Sequence, residues 1–153
     1  MFNAITITTV WVLDQDEALD FYVGKLGFQV DEDVDLGFMR WLTIVLPSDP
    51  GRNLLLEVPG PPAMSEETAA QLRDLLTKGA LGTAAILTTD DCQAVHDKLK
   101  ASGVEFTQGV EQQPYGLDCA FRDPFGNQVR VTQPVKGPIE ITEADIARWG
   151  GKA

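Results

Sequence analysis

The chain has 153 residues, the size of one ordinary domain or of two fused half-domains. Acidic residues outnumber basic ones by 23 to 12, a net charge of −11, which repels phosphate backbones and anionic membranes and excludes nucleic acid and membrane as expected partners. No apolar run approaches the roughly 20 residues that cross a bilayer, and residues 1–10 lack a signal peptide's basic start, so a soluble cytoplasmic protein is expected.

In chain order, "ITITTVWVL" is rich in β-branched and aromatic residues and reads as a strand. Alternation puts Ile7, Thr9 and Trp11 on one face and Val10 and Val12 on the other. "DQDEALDFYVGKLG" follows as a helix, capped by Asp14 with Glu17 completing a capping box and ended by Gly27 in a left-handed conformation. Ala18, Phe21, Tyr22 and Leu26 form its apolar stripe. Three strand-like runs come next, "GFQVDEDV", "FMRWLTIVL" and "NLLLEVPG", separated by acidic, Pro-Asp or Gly-Arg-Asn turns. The middle run presents either Met39, Trp41 and Thr43 or Phe38, Arg40 and Leu42 to a common side.

A proline cluster and a Ser65-capped helix ending at Gly79 interrupt this rhythm and read as a linker. "TAAILTT" then restarts a strand, and "DDCQAVHDKLKASG" restarts a helix in which Asp90 and Gln93 repeat the pattern of Asp14 and Glu17. Cap and terminal glycine recur in one register, which marks an internal repeat. "VEFTQGVE", "GLDCAFRD" and "NQVRVTQP" supply the remaining strands, with a tight turn at "DPFGN" that uses Pro124 and Gly126. Beyond Pro138, "ITEADIARWGG" predicts a Thr142-capped helix with Ile146 and Trp149 on one side.

The pattern predicts an α+β fold of two tandem β-α-β-β-β modules. Their mixed sheets curve into a cup with helices outside. The expected boundaries are module one at 5–59, a linker helix at 60–82, module two at 83–134 and a C-terminal extension at 135–153.

"VWVLDQDEALDFYVGKLGF" and "PYGLDCAFRDPFGNQVRV" resemble the module signatures of the vicinal oxygen chelate superfamily, which includes glyoxalase I, extradiol dioxygenases and bleomycin-resistance proteins. The resemblance covers about residues 5–134. In metal-using members it implies four inward-facing ligands, usually His or Gln, Glu, His and Glu, on the first and last strands of each module. Carried onto this chain, those positions are Ile7, Glu57, Thr83 or Ala84, and Arg130. Of these only Glu57 is a competent ligand of a divalent transition ion. A permanently charged guanidinium at the fourth position repels a cation. Arg130 should therefore pair with Glu57 or hold an anionic group of a ligand. No metal or other cofactor is expected.

The lone His96 lies four residues after Cys92, which makes at most two ligands, and the pair reads as a buried thiol beside a surface-leaning imidazole. The cysteines, Cys92 and Cys119, are too few for a disulfide framework and read as reduced thiols. No catalytic triad, P-loop or dinucleotide fingerprint is present. Candidate pocket residues are Trp11, Trp41, Glu57, Phe121 and Arg130, with Tyr115 at the rim; Phe121 shares a face with Cys119 and Leu117. An apolar cup with few polar groups suits a small-molecule ligand. The resemblance then implies a metal-independent binder of the bleomycin-resistance type, working as a homodimer, and the alternative is a divergent lyase or dioxygenase using Glu57.

Overall fold

The computed structural model describes residues 1–151. It opens with strand β1 (Ile7–Trp11), followed by helix α1 (Gln15–Tyr22) and strands β2 (Gln29–Asp35), β3 (Arg40–Leu46) and β4 (Asp49–Glu57). Helix α2 (Glu66–Thr77) leads into a second series: β5 (Thr83–Thr88), α3 (Cys92–Ala101), β6 (Phe106–Gln113), β7 (Gly116–Arg122), β8 (Gln128–Pro134) and α4 (Glu143–Gly150). The first four strands form one sheet in the order β1-β4-β3-β2, and the last four form another in the matching order β5-β8-β7-β6. The fold is thus α+β with two tandem β-α-β-β-β modules.

Two compact units result. One comprises Met1–Ala84 with Arg122–Gln128, and the other comprises Ala85–Phe121 with the chain from Val129 onward. In the first, β1 runs parallel to β4 while β3 is antiparallel to both β2 and β4. Val10, Val12, Leu42, Ile44 and Leu56 are buried on the sheet face that meets Ala18, Phe21 and Tyr22 of α1. Burying each such aliphatic side chain is worth about 1.5–3 kcal/mol. In the second unit α3 packs on β6, and Cys92 and Leu99 of the helix are buried along with Cys119, Phe121, Val129 and Val131 of the strands.

Local signals set the helix ends. Asp14, Ser65 and Thr142 each accept a hydrogen bond from the backbone N–H three residues on, the expected N-caps, and Thr142 completes a capping box with Asp145. Gly27 and Gly103 both adopt φ +83°, a conformation costly for any residue with a Cβ, so the 76-residue repeat is exact in geometry at the glycines. At the caps it slips by one. The N-cap of α3 is Asp91, whose carboxylate accepts from Ala94 N–H, where the sequence assigns Asp90. Residues 49–52 also depart from expectation: they belong to β4, and the β3–β4 turn is confined to Pro47 and Ser48. No described helix is long and apolar enough to cross a membrane.

The turn 123–127 belongs to the first unit, and Asp123 organises it. Its Oδ1 accepts from the backbone N–H groups of Phe125, Gly126 and Asn127, and its Oδ2 accepts from Asn127 Nδ2 and from the Tyr22 hydroxyl at 2.8 Å. Asn127 Nδ2 also donates to the carbonyl of Trp11. A buried carboxylate without a cation persists only when its lone pairs are filled in this way.

Candidate functional site

Each sheet has one face turned toward its helix and one turned away from it, and alternation along the strands sorts the candidate residues between them. On β1, Val10 takes the helix side, as does Val12 just past the strand's end, so Thr9 and Trp11 take the other. Parallel pairing sets Thr9 beside Leu55 and Trp11 beside Glu57, which brings Trp11 and Glu57 onto one open face. On β3, Leu42 and Ile44 are buried toward α1, and Arg40 reaches Asp16 of α1 at 2.7 Å. That leaves Trp41, Thr43 and Val45 on the face turned away from α1, where Thr43 and Val45 are themselves buried and Thr43 lies opposite Leu55 of β4. Of the two alternatives for this strand, the structure selects the one containing Trp41. The Trp41 indole N–H donates to Glu32 Oε2 of β2 at 2.9 Å, which fixes its ring on the sheet.

Glu57, half-buried at the end of β4, borders a cavity of about 360 Å³ whose wall also includes Gln15, Phe38, Met39, Pro59 and Pro61. Burial raises its carboxyl above the ordinary carboxylate value, and a hydrogen bond with Thr9 works against that rise. Gln15 braces the end of the strand by donating to the carbonyls of Leu56 and Arg40.

In the second unit, Val129 and Val131 of β8 are buried, so Gln128, Arg130 and Thr132 lie on the open face, as the sequence predicts. The counter-charge of Arg130 differs from the prediction. It is Asp118 of β7, fully buried and in direct salt bridge with the guanidinium, where the sequence offers Glu57 or an anionic group of a ligand. Asp118 also accepts from Thr132 Oγ1 at 3.2 Å and from Gln108 Nε2 at 3.3 Å, and the Tyr115 hydroxyl lies 3.5 Å from it. Gln108 Oε1 in turn accepts from Arg130 at 3.3 Å. Burial works against the charged form of Arg130, and Asp118 more than compensates, so the guanidinium holds its proton more tightly than usual. Because Asp118 already neutralises it, Arg130 is a poor anchor for an anionic ligand.

Phe121 sits on the opposite face. It has no exposed surface and meets Phe106 edge-on at 5.4 Å, and Phe106 stacks with His96 of α3 at 4.3 Å. Cys119, two residues earlier, places its sulfur 3.7 Å from Cys92 Sγ of α3. The face shared by Leu117, Cys119 and Phe121 is therefore helix-covered core, which corrects the placement of Phe121 in a pocket. His96 is likewise drawn inward by Phe106, with 12% of its side chain exposed, where a surface-leaning ring is predicted.

The remaining members of the open-face cluster carry weaker sequence signals. Asp118 falls among apolar residues in "GLDCAF", and a carboxylate flanked by Leu and Cys on a buried strand is itself a sign of a partner cation. Gln108, Gln113 and Trp149 give no comparable signal.

The donor chemistry at the strand positions where the resemblance implies metal ligands does not fit a divalent transition ion. Ile7 has no donor atom, Thr83 and Ala84 offer neither imidazole, thiolate nor carboxylate, and Arg130 brings a positive charge. Among the described residues no three His, Cys, Asp or Glu side chains cluster for metal binding.

Comparison with known proteins gives a consistent picture. Residues 4–131 match the Glyoxalase/Bleomycin resistance protein/Dioxygenase superfamily. YurT, an uncharacterized protein of Bacillus subtilis (strain 168), is 37% identical over 130 residues, which span 84% of this chain and 98% of the relative. The crystal structure of UcmS2 superposes with a TM-score of 0.81 at 38% identity, covering 86% of this chain and 98% of that one. TnmS3, an antibiotic binding protein from Streptomyces sp. CB03234, has a TM-score of 0.70 at 29% identity, with 88% of this chain and 98% of the other covered.

Proposed function

This chain belongs to the Glyoxalase/Bleomycin resistance protein/Dioxygenase superfamily, and we propose that it is a small-molecule-binding member that captures an apolar or aromatic ligand without a metal. The observation that carries this reading is the Arg130–Asp118 salt bridge, which puts a neutralised cation at the strand position where the resemblance implies a metal-binding carboxylate. Trp11 and Trp41 supply flat apolar surface, and Glu57 supplies a polar group beside them; apolar walls with a few placed polar groups suit a small ligand. The similarity to an antibiotic binding protein supports capture as the activity.

On this reading the protein acts in the cytoplasm, as a homodimer. Light scattering tests the dimer. A thermal-shift screen against planar aromatic compounds tests the ligand class. Saturation at 100 times the dissociation constant adds about 2.7 kcal/mol and moves the melting point by several degrees. A panel without any such shift would refute the reading.

A second reading, a divergent lyase or dioxygenase using Glu57, draws on the burial that raises this carboxyl above its ordinary value, the direction that suits a general base. Turnover of a screened compound that Glu57→Gln abolishes would favour it over capture.

A further inference from the structure

The family match ends at residue 131, and α4 lies beyond it. The helix buries none of its own residues. It is held by Gln113, a buried residue at the end of β6, whose Oε1 accepts from Arg148 at 3.0 Å and from the Trp149 indole at 3.2 Å. Eight residues do not sustain a helix in water by themselves, so the helicity of α4 depends on this docking and on its Thr142–Asp145 capping box. Held mainly by two side-chain hydrogen bonds and with no buried residue of its own, α4 opens more easily than the sheet beneath it.

Docked this way, Trp149 closes one side of a cavity of about 350 Å³ whose other walls are Gln108, Glu111, Gln113, Tyr115 and Arg130. The volume is within the range of small-molecule sites. Two aromatic side chains line it, and the glutamine amides provide donors and acceptors together. Its charges do not favour an anion. Arg130 is neutralised by Asp118 and Arg148 by Asp145, while Glu111 has no cationic partner among the described residues. The chain's net charge of −11 works in the same direction.

We propose that this cavity binds a neutral or cationic planar aromatic compound bearing both hydrogen-bond donors and acceptors, and that the appended helix α4, through Trp149, determines what it accepts. The proposal rests on the capture reading above and adds to it a second cavity, whose lining does not include Trp11, Trp41 or Glu57, with its own wall and charge preference.

Two three-ring probes of opposite charge test it in the full chain at physiological salt, which screens the overall charge. Fluorescence titration follows proflavine, planar and cationic with two amino groups, and anthracene-9-carboxylate, planar and anionic. Proflavine is expected to bind more tightly. The double substitution Arg148→Ala, Trp149→Ala should weaken proflavine roughly tenfold, the size of effect seen when an aromatic anchor is truncated. Gln113→Ala should weaken it in the same sense by undocking the helix. Ile146→Ala, on an exposed part of α4 away from the cavity, should leave binding unchanged. Circular dichroism confirms that each variant is folded. If the double variant binds proflavine as tightly as the parent, the role of α4 is overturned while aromatic capture stands. A preference for anthracene-9-carboxylate overturns the charge assignment alone. If neither probe binds, the proposal fails, and the thermal-shift panel alone decides the capture reading.

Discussion

The guanidinium of Arg130 on β8 is salt-bridged to the carboxylate of Asp118 on β7, a side chain with no exposed surface. Removing one partner of such a pair strands a buried charge, which typically costs 3–5 kcal/mol, whereas replacing both with apolar groups is often close to neutral. Arg130 retains some exposure, so Arg130→Met should cost about 2–4 kcal/mol. Combining it with Asp118→Leu should recover most of that loss. Urea denaturation of the two single variants and the double variant checks this, and additive losses would show that the two side chains are not coupled.

Tyr22 and Asp123 give a second stability prediction. Tyr22→Phe keeps the ring but leaves Asp123 one donor short, which should cost about 1.5–3 kcal/mol because the acceptor is charged. Asp123→Ala should cost more, since it also leaves the backbone N–H groups of Phe125, Gly126 and Asn127 without their acceptor. Thermal denaturation ranks the two variants.

Alkaline pH should weaken the fold. Burial pushes the Cys119 thiol up to about 12 from an ordinary value of 9.0, and it raises Tyr22 as well, with the Asp123 charge adding to the rise. Both groups keep their protons longer when folded than when unfolded. Below the unfolded values their contribution is fully present; as pH rises above about 9 the unfolded chain ionises first and stability falls. Denaturation midpoints should hold up to pH 8 and decline steadily by pH 10.5. For the same reason both thiols should resist alkylation at pH 8 in the native protein and react promptly in denaturant. Rapid native labelling would contradict their burial.

Trp41 and Phe121 should separate binding from stability. Phe121→Ala empties a fully buried position and should cost about 3–5 kcal/mol. Trp41→Ala removes a half-buried ring, so it should affect folding far less while weakening an aromatic ligand held on the Trp11 and Trp41 surface about tenfold. Parallel denaturation and binding titrations compare the two. Equal effects on stability would place both rings in the core.

Much of the fold is legible in the sequence because its signals are local. Asp14, Ser65, Thr142 and the glycines at 27 and 103 declare helix ends by chemistry that needs no knowledge of the rest of the chain. The repeat is legible because both modules use the same signals in the same order. Faces are harder to read. Alternation groups Phe121 with Cys119 and Leu117 correctly, but which side of β7 meets α3 depends on packing between distant segments. The same limit applies to charge pairing. Arg130 is readable as a cation needing a partner, yet Asp118 becomes that partner only through the neighbouring position of β7 and β8 in the sheet. The wall supplied by Trp149 depends on a helix that follows the matched modules and docks back onto β6 through a glutamine, a residue with many ordinary uses.

Capture, as proposed, needs no metal. Its most direct test is isothermal titration of the compound giving the largest thermal shift, performed on metal-stripped protein with and without excess chelator, and again after adding Ni, Zn, Mn or Fe(II). One dissociation constant is expected under all these conditions. Binding that vanishes with chelator and returns with a metal would contradict metal-free capture and would mean that Arg130 does not keep a cation out.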